Sequence, residues 1–164
     1  MTAKFLNTIT IVALLTVSAN CYAKDNHPQD QSLALSPELR ELLRAEMREI
    51  SGGIQSIALL LATADWEAIQ DTSAKIHASY IMKQKLTPAL KEELEHALPS
   101  RFKQLDADFH HRAEKLGMAA AAHDPEEIAF HYSRMLESCT QCHAEFAADR
   151  FPGFAPQAPR DHHH

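Results

Sequence analysis

Apolar residues recur along most of this chain at steps of three and four, the spacing of a helix with one buried stripe. In the first such segment they fall at Leu39, Leu43, Met47, Ile50, Ile54, Ile57 and Leu61. Ser36-Pro37 opens it, with Ser as N-cap, Pro in the first turn and Glu38 near the positive end of the dipole. Gly52-Gly53 interrupts the stripe. Each glycine costs about 1 kcal/mol relative to alanine in a helix interior, so the pair marks a kink or a close approach by a backbone or a flat ligand. A second helix is predicted from Asp65 to about Lys85, with Trp66, Ile69, Ser73, Ile76 and Tyr80 on its stripe. Thr87-Pro88 starts a short helical turn that runs through Leu94, and Pro99 closes this linker. A third helix is predicted over about 100–122, with Phe102, Leu105, Phe109, Ala113, Leu116 and Ala120 inward. Asp124-Pro125-Glu126-Glu127 opens a fourth over about 125–147, close to a capping box. Its stripe is Ile128, Tyr132, Met135, Cys139, Cys142 and Phe146. No alternating strand and no internal repeat stands out. The expectation is an all-α fold: a four-helix bundle over 36–148 with one longer connection between its second and third helices.

The flanks read differently. Residues 1–23 have the form of an export signal: Lys4, an apolar run from Ile9 to Val17, and a small-x-small site at Cys21-Tyr22-Ala23. The run is too short to span a bilayer. Acylation of Cys21 is the competing reading. Cleavage near Ala23 would leave 141 of the 164 residues and deliver them to the periplasm. Residues 24–35 are polar and read as a flexible N-terminal arm. Residues 149–164 read as an irregular, Pro-rich tail, whose Phe151 and Phe154 are suited to cover the edge of a bound group or the end of the bundle. The terminal His162-His163-His164 is set aside as a tag or a natural tail.

Charge excludes more than it assigns. Without Lys4 the chain has 15 basic and 22 acidic residues, a formal −7. Such a chain has no general attraction for nucleic acid or anionic lipid, and would be steered towards a basic partner.

The chemistry lies in Cys139-Thr140-Gln141-Cys142-His143. It reads C-x-x-C-H, the attachment signature of a c-type haem. Two thiols add across the two vinyl groups of the porphyrin, and the His supplies a nitrogen to iron. Positions i, i+3 and i+4 project from one face of a helix. Two other uses compete. A redox dithiol belongs near a βαβ pattern, which is missing. A zinc site normally needs four protein ligands, and without Cys21 no third cysteine remains. The same count leaves no disulfide for an exported chain, so haem and helix packing must hold the fold.

A C-x-x-C-H on the last helix, with 21 residues after His143, resembles the class II cytochromes c, the cytochrome c′ family. The likeness covers about 36–148 and includes Phe146, the aromatic three residues after His143. Ala147 stands where the family often has a basic residue, and Arg150 is the nearest replacement. The resemblance implies a periplasmic bundle holding one covalent haem through Cys139, Cys142 and His143, with helix one over the distal face. It makes Met47 the candidate sixth iron ligand, in a Met-ligated low-spin branch. The competing use of Met47 is core packing. His77, His110, His111 and His131 are read as surface histidines, with His110 the best alternative nitrogen ligand. Lys83 and Arg48 are candidate propionate partners. The resemblance implies an electron carrier working with redox partner proteins, and admits a homodimer. The alternative is binding, scavenging or sensing of a small gas such as NO or CO at an open distal position. No Ser/His/Asp pattern or phosphate loop suggests an enzyme.

Overall fold

The computed structural model of the protein describes residues 33–154, in which the chain forms six α-helices and no strand. The helices are α1 (Pro37–Ala62), α2 (Trp66–Ala78), α3 (Met82–Lys85), α4 (Pro88–Ala97), α5 (Ser100–Ala121) and α6 (Pro125–Phe146). A short 3-10 turn, Pro152–Phe154, follows. Residues 1–32 and 155–164 lie outside the described residues. The export signal, most of the arm and the terminal histidines therefore fall beyond them. Among the described residues no helix is long and apolar enough to cross a membrane.

Local chemistry sets the helix starts. The Ser36 hydroxyl accepts from Leu39 N, Asp65 from Ala68 N, Thr87 from Leu90 N, and Asp124 from the N–H groups of Glu126 and Glu127. Each cap satisfies a donor that the first helical turn leaves unpaired, and is worth about 1 kcal/mol.

The second expected helix is two. It stops at Ala78, and Ser79 takes a left-handed φ of 60°. That conformation costs a non-glycine residue about 1–2 kcal/mol. It is held by Glu46 of α1, which is 3% exposed and accepts from Tyr80 N at 2.8 Å and Met82 N at 3.0 Å, and also from Ile81 N. Three orphaned N–H groups after a helix end find one carboxylate, so the break becomes stable. On the α5 side, Nδ1 of His110 donates to Ile76 O at 2.8 Å and ties down the last turn of α2.

Contacts fix the packing directions. Gly53 of α1 faces Thr72, Ile76 and Tyr80, while Glu46 meets residues 80–82, so α1 and α2 run antiparallel. His110 lies by Ile76 and Gly117 by Ser73, so α2 and α5 are antiparallel. Phe102 packs edge-on to Phe146, and Arg101 pairs with Glu145 at 3.2 Å, so α5 and α6 are antiparallel as well. It follows that α6 is antiparallel to α1. The two glycines part ways: Gly52 has nothing near it, whereas a Cβ on Gly53 would lie 2.7 Å from the Tyr80 hydroxyl. Side chains of α2 and of Tyr80, just after it, lie where a Cβ on Gly53 would stand.

The main core joins α1, α2, α5 and α6 through Ile57, Ile69, Leu116, Ile128 and Met135, all fully buried. The inward stripe expected on α5 is buried throughout. The stripe on α1 needs correction. Met47 is 38% exposed and the neighbouring Glu46 is buried instead. The carboxylate takes the inward position because the turn after α2 supplies it with three donors. The N-terminal arm also differs at its end: Leu35 is buried against Leu39 and Leu90.

Candidate haem-attachment site

Towards the N-terminal half of α1 the apolar interior divides. One cluster gathers Leu35, Leu39 and Leu90 with neighbours on α1, α3 and α4. Another gathers Phe102, Leu105 and Phe146 on α5 and α6. Leu33 and Leu98 touch both. The C-x-x-C-H stretch lies at this end of the molecule. Cys139 packs against the main core, and Cys142 against the Phe102–Leu105–Phe146 cluster. Cys139, Cys142 and His143 are all half-buried on the last two turns of α6. The structure thus brings these three together on one helix flank, as their spacing predicts.

Both thiols are free. Burial raises the Cys139 pKa. It raises that of Cys142 to about 11, with the negative charges of Asp106, Cys139 and Glu145 adding to the effect. Their place on the last turns of α6 opposes a thiolate as well, since the helix dipole is negative there. A redox dithiol needs the reverse, a depressed pKa at a helix N-terminus or beside a cation. Among the described residues no three His, Cys, Asp or Glu side chains converge on a point where a metal ion could be held.

His143 has its pKa lowered by burial, which favours the neutral imidazole with a free lone pair. The ring of Phe151 lies on the imidazole, with centroids 4.4 Å apart and planes at 19°. Sequence reasoning gave Phe151 only a general covering role. The signal that could have found it is an aromatic eight residues past His143, just before Pro152-Gly153 turns the chain.

Met47 is placed by register. The Tyr132 hydroxyl of α6 donates to Ile54 O of α1 at 3.2 Å. Met47 and Cys139 each stand seven residues from that contact, in opposite chain directions on antiparallel helices. At about 1.5 Å per residue both descend by the same height. Met47 thus stands level with Cys139, and the core does not use its side chain.

The other candidates are occupied elsewhere. His110 has Nδ1 on Ile76 O and Nε2 at 3.5 Å from Asp106. Burial lowers its pKa, but the hydrogen bond and charge of Asp106 outweigh this and the net shift is upward. With both nitrogens engaged it is poorly placed to ligate. The exposed His77 faces the His110 carbonyl, His111 pairs with Glu114, and His131 with Glu127. Arg48 pairs with Glu41 at 3.1 Å, and Lys83 and Arg150 are exposed.

The donor set fits a covalently attached haem: two protonated thiols and one neutral imidazole on one flank, bordered by two apolar clusters. No family model, no curated protein and no solved structure matches the chain.

Proposed function

We propose that the protein is an exported, periplasmic c-type cytochrome, a four-helix bundle of α1, α2, α5 and α6 that carries single electrons on one haem. The observation that supports this most is the position of the motif. Cys139 lies against the main core and Cys142 against the Phe102–Leu105–Phe146 cluster, and His143 stands beside them with its pKa lowered by burial. A flat apolar group bonded there would bridge the main core and that cluster.

The haem supplies the one-electron chemistry of iron when bound. The chain's own residues do the rest. The Cys139 and Cys142 thiols would hold the haem as thioethers, each S–H adding across one vinyl C=C bond with the hydrogen going to carbon. His143 would ligate its iron through a ring nitrogen. Met47, level with Cys139 on the facing helix and unused by the core, would supply a neutral thioether as the other ligand. Such a ligand favours ferrous iron and raises the potential. Electron transfer between such states needs little rearrangement of a rigid helical frame. Redox partner proteins follow from this role, and the acidic surface suits a basic partner. Binding of NO or CO at an open distal position is the reading that applies if Met47 does not ligate.

The test is co-expression with haem-attachment machinery, then optical spectra of both redox states with and without CO. Haem that resists acid extraction, low-spin spectra and slow or weak CO uptake are expected. A protein that binds no haem, or releases it to acidified solvent, ends this reading. A high-spin protein that takes up CO freely keeps the haem but transfers the function to gas binding.

A further inference from the structure

On the reading that His143 is the proximal ligand, we infer that Phe151 is the positioning residue that fixes the plane of the His143 imidazole. A metal-bound histidine usually has its orientation set by a hydrogen bond from its second ring N–H to a carbonyl or carboxylate. Among the described residues, no carbonyl or carboxylate makes such a hydrogen bond to the His143 ring. What the ring does have is Phe151, at 4.4 Å and nearly parallel.

The stack leaves ligation open. The nitrogen lone pair lies in the imidazole plane, so a partner on the ring face does not compete with a bond to iron. It restricts rotation about the Cβ–Cγ bond, a soft two-fold torsion that is broad without a neighbour. Phe151 is itself held. Its N–H and that of Arg150 both donate to Ala147 O at 3.0 Å, and Phe154 N donates to Phe151 O at 2.9 Å. The backbone that follows α6 therefore folds back over the motif, and the tail has a task beyond ending the helix.

The test uses the haem-loaded ferric protein with cyanide added, which is low-spin whatever occupies the sixth position in the native state. The proton shifts of the four haem methyl groups then report the orientation of the proximal imidazole. Phe151→Leu is expected to change the order and spread of the four resonances, while Phe151→Trp, which keeps a flat ring, retains the wild-type order. Covalent haem content should be equal in all three proteins. With carbon monoxide bound at saturation, the ferrous wild-type protein is diamagnetic whatever occupies the sixth position natively, and should show nuclear Overhauser contacts between the Phe151 and His143 rings. Missing contacts, or an unchanged methyl pattern in Phe151→Leu, overturn the role of Phe151 with the haem intact. A wild-type protein without covalent haem overturns the underlying reading instead, and the proposal with it.

Discussion

The two ends of the helical body are built by different means. Around Ile57, Ile69, Leu116 and Ile128, four helices bury aliphatic side chains completely, and no charged group enters. Around Cys139–His143 the interior divides into two clusters. Two cysteines and a histidine stay half-buried, Met47 is exposed, and a carboxylate stands inside α1. Aliphatic packing dominates the first end, where the Nδ1 of His131 is buried without a hydrogen-bond partner among the described residues. At the second, polar capping by Glu46 and aromatic stacking by Phe151 hold shapes that packing alone does not specify. A fold that stabilises one end fully can leave the other for a bound group.

Removing both thiols tests that contrast most severely. Cys139→Ala with Cys142→Ala should abolish covalent haem and leave the motif end poorly folded. Hydrogen exchange should then rise in the last turns of α6 and the first half of α1, and much less around Ile57 and Leu116. Equal loosening at both ends would erase the distinction drawn between them.

A cavity at the other end should act on stability alone. Leu116→Ala removes a fully buried side chain and is expected to cost about 2–5 kcal/mol in denaturant unfolding, with the haem spectrum unchanged. Spectral changes in that variant would mean that the two ends communicate through α5.

Glu46→Ala strands three backbone donors, and each buried unsatisfied group costs about 1–3 kcal/mol. The loss should therefore match or exceed that of many single core truncations, although only a polar side chain is removed. A cost below about 1 kcal/mol would show that water replaces the carboxylate at the turn after α2.

Met47→Leu keeps volume and apolarity, and should cost less than about 1.5 kcal/mol. Its effect should be spectroscopic: high-spin iron, a lower potential and ready CO binding. If wild type and variant are both low-spin, a ligand other than Met47 holds the sixth position, and replacing the histidines one at a time identifies it.

The smallest effect expected is a change of slope with pH. The His110 pKa is raised in the folded protein, so its contribution is fully present below the unfolded value of about 6.5. It is lost as pH rises through the folded value. His131 acts with the opposite sign. Burial lowers its pKa, so its contribution is present above the unfolded value and lost as pH falls through the folded one. His110→Gln should therefore flatten the decline of stability on the alkaline side and leave the acidic side as it was. Urea midpoints measured across that range decide the point.

The four long helices were legible because each has local signals at its ends. Ser36-Pro37, Asp65 and Asp124-Pro125 cap three of them, and Pro99 precedes the other. The inward residues of α5 follow from period alone, since that stripe packs into apolar clusters. The α2 break was not legible, because nothing between Ala78 and Met82 is a strong breaker. Ser79 takes its left-handed conformation next to three N–H groups that donate to Glu46, more than thirty residues away in sequence. The same long-range capture explains why Met47 left the stripe. Periodicity ranks a glutamate as outward, and it has no access to donors supplied by another helix.

At the candidate site, sequence by itself determined the grouping of Cys139, Cys142 and His143, because helical spacing places them on one flank. It also determined the all-α character, through periodicity and caps. Only the tertiary structure decided what surrounds them: the divided core, the level of Met47 set by Tyr132 on Ile54, the Glu46 anchor and the Phe151 ring on His143. The physical reason is range. Spacing and capping act within about one or two helical turns, whereas register, burial of a charge and ring stacking depend on which segments meet once the chain has folded.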